Sequence, residues 1–152
     1  MGKVTQFIIS VGGTLLLGSL PSVFTFGSID TWYEGLAKPV FTPPNWLFGP
    51  AWTILFILMG TAHYLVWSRH GIKATWSFYP QMVLNMLWTF LFFGLQAPFP
   101  ALLEILLLIF AISIMLLSFG RKEKNTRWLL APYLLWVLFA TALNTSIWLL
   151  NR

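Results

Sequence analysis

Apolar residues run along this chain in five long blocks, at 4–26, 46–68, 76–96, 101–119 and 128–150, and the short segments between them hold nearly all of the charges. A helix needs about 20 mostly apolar residues to cross about 30 Å of hydrocarbon, and each block is of that order. The pattern predicts an all-α integral membrane protein, a five-helix bundle forming one domain over residues 1–152. Three of its connections are short, and the first, 27–45, is long. The first block follows Lys3 much as the core of a signal peptide would. It is long, however, and no A-x-A-like cleavage site follows it, so it reads as a helix.

Polar positions inside the blocks say which faces look inward. Amides in hydrocarbon are costly unless paired, so Gln81, Asn85 and Asn144 should face the bundle interior. In the third block Gln81, Asn85, Trp88, Thr89 and Phe92 share one helical face, and in the fifth Trp136, Ala140, Leu143, Asn144 and Ile147 do the same. Counting residues from the block ends puts Asn85 level with Trp136, and Asn144 level with Trp52 nearer the outside. The expectation is a tall, narrow pocket with an amide and an indole at each level. Each of these residues has an alternative role in simple helix packing. Ser10, Thr14 and Gly18 form a small-residue ridge on the first block, suited to close packing within the chain or between copies, and Pro21 is expected to kink the helix beyond it.

Composition sharpens the class. With 58% hydrophobic and 9% charged residues, a soluble domain of this size would lack the polar surface to cover its core. The absence of cysteine excludes disulfides, thiolate metal sites, a cysteine nucleophile and haem attachment through CxxCH. The net charge of +5 sits in short loops rather than along a stripe, which argues against nucleic acid. Lys3, Arg69, Lys73, Arg121, Lys122, Lys124 and Arg127 fall on one side, Lys38 and Arg152 on the other. The positive-inside rule then predicts a cytoplasmic amino terminus in a bacterial cell membrane, with the first loop and the carboxyl terminus outside.

Nine tryptophans exceed what interfacial belts require. Trp52, Trp88 and Trp136 lie deep in their blocks, where an indole N–H needs a partner, so they point to an aromatic pocket between helices. The first loop carries Trp32, Tyr33 and Phe41 among three prolines, as suits a stiff apolar cap, or a segment resting on the bilayer. His63 and His70 are seven apart, which raises axial haem ligation, against which stands their place at the cytoplasmic end. Glu104 reads as interfacial, near the outer end of a lipid-facing fourth helix that lines no site.

The segment WYEGLAKPVFTPPNWLFGPAW, with LNMLWTFLFFG and PYLLWVLFATALN in the third and fifth blocks, resembles the tryptophan-rich sensory protein and translocator protein (TspO/MBR) family along nearly the whole chain. The resemblance implies a five-helix bundle, commonly a homodimer, that binds protoporphyrin, haem-like tetrapyrroles and related bile pigments. It implies that Trp52 and Trp136 match pocket tryptophans linked to light-dependent porphyrin breakdown, and that Tyr33, Pro43, Phe56, Asn85, Ala140 and Leu143 match other pocket positions. Phe41 stands where many members have Trp, and Glu104 where many have Asp. The cholesterol-recognition pattern is broken, because Thr145 follows Asn144, so sterol binding is not carried over.

The expected ligand set is therefore Tyr33, Pro43, Trp52, Phe56, Asn85, Trp88, Trp136, Ala140, Leu143 and Asn144, around a porphyrin or other apolar aromatic molecule. No metal and no resident cofactor are required. Stacking on the indoles would supply affinity, Asn85 and Asn144 would meet polar edges, and Lys38 or loop N–H groups would meet propionates. Three functions stay open: a receptor or carrier, a light-dependent porphyrin-degrading protein using Trp52 and Trp136, and a small-molecule exporter, for which Glu104, near a helix end, is a poor coupling acid.

Overall fold

A computed structural model describes all residues, 1–152, and every regular element in it is helical, without strands. Helix α1 (Lys3–Ser19) breaks at Leu20 and Pro21 and resumes as α2 (Ser22–Ser28), which runs into a π-helical turn, Ile29–Tyr33. The break falls where proline has no N–H to give the helix. A 3-10 turn, Asn45–Leu47, leads into α3 (Phe48–His70), which ends at Gly71 with φ of 81°, a left-handed value that favours glycine. Another 3-10 turn, Ile72–Thr75, precedes α4 (Phe78–Thr89), which continues through a π-helical turn, Phe90–Gly94. Helices α5 (Pro98–Lys122) and α6 (Thr126–Leu150) complete the chain. Pro98 and Pro100 stand in the first turn of α5, where a missing N–H costs nothing.

Four segments are long and apolar enough to cross a membrane: Lys3–Tyr33, Asn45–His70, Pro98–Lys122 and Thr126–Leu150. The expected third span, 76–96, is shorter than those four, a 12-residue α-helix plus the π-helical turn. It stops at Gly94, before Gln96, which adopts a positive φ of 52°. The expected first loop is also shorter, because its beginning is helical to Tyr33. Tertiary contacts explain this. Ser28 Oγ donates to the Phe93 carbonyl at 2.7 Å, and Trp32 packs edge-on against Phe92 at 5.5 Å.

Helix α1 lies along α3, and α6 packs on α5 and α3. The small-residue ridge serves contact within the chain: Ser10 and Thr14 are buried, and Ser10 Oγ pairs with His63 Nδ1 at 2.9 Å. Gly60 completes the seam, since a Cβ there would meet Val11 Cα at 2.7 Å and the Ser10 carbonyl at 2.9 Å. Helix α5 buries Ala101, Ile105, Leu108, Ile112, Met115 and Phe119 and exposes Leu103, Leu106, Leu107, Phe110 and Leu117. Glu104 lies on the buried side, with both carboxylate oxygens lacking a protein partner, so its interfacial assignment is corrected. Its spacing from Ala101, Ile105 and Leu108 places it on the seam facing α4 and α6.

The ends of the bundle are tied separately. Arg69 and His70, at the end of α3, both pair with Glu123 between α5 and α6. At the other end Ala37 N donates to Asn151 Oδ1 at 3.0 Å, and Asn151 Nδ2 donates to the Ala37 carbonyl at 2.8 Å, clasping the first loop to the end of α6.

Candidate functional site

A cavity of about 540 Å³ opens inside the bundle. Its walls come from the α1–α2 junction, the π-helical turn at Ile29–Tyr33, the first half of α3, α4 with its π-helical turn, and the second half of α6. Helix α5 contributes nothing to it, as expected for the fourth block. Tyr33, Trp52, Phe56, Asn85, Trp88, Trp136, Ala140, Leu143 and Asn144 all line this space. Pro43 does not. It borders a shallower groove with Leu47, Ala51 and Pro132, on the outer side of Trp136, because the loop carries it across the faces of α3 and α6 rather than over the cavity.

The aromatic walls are continuous. Trp52 stacks on Phe56 at 5.5 Å and meets Trp136 edge-on at 6.4 Å and Tyr133 at 6.3 Å. On the opposite side Trp88 stacks on Phe92 at 5.5 Å, and Phe93 lies 5.8 Å from Tyr33. The levels differ from those counted along the blocks. Trp52 neighbours Trp136, and Asn144 pairs with Trp88, whose Nε1 donates to Asn144 Oδ1 at 3.1 Å. The count assumed that α3 and α6 end in one plane, whereas α6 reaches far enough for Asn151 to clasp the first loop.

Hydrogen bonding separates committed polar groups from free ones. Both polar atoms of the Asn144 side chain are engaged, with Oδ1 accepting from Trp88 and Nδ2 donating to the Pro98 carbonyl at 2.8 Å, so it ties α4, α6 and the start of α5 together. Asn85 Nδ2 donates to Tyr133 Oη at 3.0 Å, and Tyr133 donates in turn to Gln81 Oε1 at 2.9 Å. This chain satisfies three polar side chains beneath the cavity, as buried polar groups require. Asn85 Oδ1 stays without a protein donor. Tyr33 Oη, on a side chain only 1% exposed, has no partner at all. The indole nitrogens of Trp52 and Trp136 likewise donate to no protein atom. The cavity thus combines apolar walls with a few unspent polar groups, the usual make-up of a small-molecule site.

Other expectations are redirected. Lys38 Nζ donates to the carbonyls of Tyr33, Glu34 and Leu36 at 2.7, 2.9 and 3.2 Å, which uses all three of its N–H groups and removes it as a propionate partner. The histidines do not converge on a shared ligand, since His63 pairs with Ser10 and His70 with Glu123. Sequence reasoning missed Tyr133, Phe48, Phe93 and Asp30. Tyr133 stands three residues before Trp136 on the same helical face, a signal that the spacing contains. Phe93 and Asp30 reach their places through π-helical turns, which residue spacing does not reveal.

The TspO/MBR family matches residues 10–149. A tryptophan-rich protein TspO of Archaeoglobus fulgidus is 44% identical, with 98% of this chain and 99% of the relative covered. The human translocator protein is 35% identical over 84% of this chain and 79% of its own length. A tryptophan-rich sensory protein of Cereibacter sphaeroides is 35% identical over 80% of this chain and 78% of its own length. With its apolar helices and a match from residue 10 to residue 149, this chain is an integral membrane protein of the TspO/MBR family.

Proposed function

We propose that this protein is a membrane receptor or carrier that buries a porphyrin or related tetrapyrrole in the tryptophan-lined cavity, which the end of the first loop borders through Asn45 and Trp46. The observation that carries the reading is the cavity of about 540 Å³ walled by Trp52, Phe56, Trp88, Phe92 and Trp136, with free polar groups at Tyr33 and Asn85. Its volume falls within the roughly 300–1,000 Å³ of small-molecule sites. A flat aromatic ring would stack on the indoles, its inner nitrogens and rim would meet the free N–H and O–H groups, and the hydrocarbon setting would strengthen each such bond.

The same proposal includes a five-span topology, with Phe78–Gly94 as the short third span, seated among four longer helices that thicken the protein around it. The cytoplasmic side is the end where Arg69 and His70 meet Glu123, close to most of the cations, and the first loop and Asn151 stand outside. Homodimers would form through lipid-facing helix surfaces, because the small-residue ridge is already consumed against α3.

The edge-on contact of Trp52 with Trp136 favours a second reading, in which light absorbed by the bound ring is discharged through these indoles and the ligand is degraded. The ligand would then carry the chemistry and the protein would position it.

Titration of the detergent-purified protein with protoporphyrin in the dark, followed by tryptophan fluorescence, tests the binding reading. Saturable one-site quenching is expected, and non-saturable quenching would refute it. Illuminating the same samples separates the two roles. Defined products that vanish in the Trp52→Phe, Trp136→Phe double variant would identify degradation, and bleaching at the same rate in both proteins would leave a carrier.

A further inference from the structure

The cavity is open on one side, between α2 with its π-helical turn and the beginning of α3, where the lining residues Phe26 and Trp46 are 76% and 71% exposed. Asp30 lines this mouth four residues after Phe26, on the same helical face, and it is the one charged side chain among all the lining residues. Its carboxylate takes part in no salt bridge and no hydrogen bond within the protein. A second carboxylate stands behind it: Glu34 Oε2 accepts from Nδ2 of Asn45, another lining residue, at 3.2 Å. Lys38 offers a ligand no hydrogen bond, since its three N–H groups are spent on carbonyls, and it is not among the lining residues.

We propose that Asp30 makes the mouth of this cavity selective for an aromatic ligand whose exposed edge is cationic, and disfavours one whose edge bears carboxylates. The inference rests on the tetrapyrrole reading and adds the charge class of the ligand. Two features act together. An ammonium or amidinium leaving the cavity meets an unpaired carboxylate, and it passes close to Trp46, an exposed aromatic ring of the kind that attracts cations. A carboxylate in the same place meets like charge, and no lysine, arginine or histidine lines the cavity to receive it. Deeper inside, the donors of Trp52, Trp136 and Tyr33 suit neutral ring nitrogens and carbonyls, because an ion there would be separated from water without a charged partner.

The test uses protoporphyrin, its dimethyl ester, and its diamide carrying two ammonium-tipped chains, titrated in the dark into the full-length protein in an uncharged detergent. The diamide is expected to bind roughly two- to fivefold tighter than the ester and the dicarboxylate more weakly than the ester, the scale of a solvent-exposed charge pair. Asp30→Asn should collapse the order of the three ligands, and Asp30→Glu should keep it. In the unaltered protein, salt above about 0.5 M should also compress it, because screening then acts over a few ångströms. An order that survives in Asp30→Asn or ignores salt, or a dicarboxylate that binds tightest, would overturn the inference while the tetrapyrrole reading stands. Saturable binding by none of the three would overturn that reading and the inference with it.

Discussion

The indoles of Trp52 on α3 and Trp136 on α6 meet edge to face, with centroids 6.4 Å apart and planes at 84°, and neither nitrogen donates to a protein atom. Two deep indoles left without acceptors are costly unless something else fills the space they border. Replacing either by Phe keeps an aromatic wall and removes one donor and one ring. Each of Trp52→Phe and Trp136→Phe should weaken protoporphyrin binding by about 0.5–1.5 kcal/mol, a scale set by aromatic pairing and single hydrogen bonds. Fluorescence titration in the dark measures it, and thermal unfolding should show the fold intact.

Trp88 and Asn144 form the opposite case, since their polar groups are spent on each other and on the Pro98 carbonyl. Asn144→Leu strands the Trp88 N–H and that carbonyl at once. It should cost about 0.5–2 kcal/mol, the range of interhelical hydrogen bonds in membrane proteins, seen as a lower unfolding temperature in detergent. A double-mutant cycle with Trp88→Phe isolates the shared bond.

Close approach of α1 to α3 depends on Gly60. Its Cβ would meet backbone atoms, Val11 Cα at 2.7 Å and the Ser10 carbonyl at 2.9 Å, so the helices must move apart to admit it. Gly60→Ala should destabilise by about 1–3 kcal/mol through overpacking. Gly12→Ala, where nothing lies within 4 Å, should be neutral or slightly stabilising, because alanine favours the helix. Thermal unfolding of the two variants in parallel gives the comparison.

Glu123 links pH to the end of the bundle where it meets Arg69 and His70. Its carboxyl is held below the ordinary value of 4.5, first by the hydrogen bond from His70 and then by that from Arg69 and by both their charges. A carboxylate depressed on folding stabilises fully above its unfolded value and loses that contribution as pH falls through the folded one. Stability should therefore hold down to about pH 4.5 and decline below it, and Glu123→Gln should remove this part of the decline. Unfolding temperature measured between pH 3 and pH 7 in both proteins checks the sign.

Much of this arrangement is legible from period and length. Four of the five apolar blocks fall on helices of span length, and the deep faces of the third and fifth blocks meet around one cavity, because 3.6-residue spacing survives packing. Misjudged features depend on contacts between distant segments. Helix beyond Gly27 requires Ser28 to reach the Phe93 carbonyl, and the placement of Asp30 and Phe93 requires π-helical turns. Pro43 lies outside the cavity because the route of the first loop is set by Ala37 and Asn151, over a hundred residues apart in the chain. Glu104 is buried because its spacing follows the seam of α5, and the uniform apolarity of that block concealed the seam. Lys38 illustrates a further limit: its charge is visible in the sequence, while the three carbonyls that occupy it exist only in the folded loop.

The central claim is that a tetrapyrrole enters the bundle rather than adhering to its surface. Ala140 lines the cavity on α6, while Leu135, on the same helix, is 66% exposed on its outer face. The most direct measurement is a dark titration of protoporphyrin into Ala140→Phe and Leu135→Phe beside the unaltered protein, with unfolding temperatures recorded for all three. Loss of saturable binding in a folded Ala140→Phe, with Leu135→Phe unchanged, is the predicted result; equal saturable binding by all three would contradict the account.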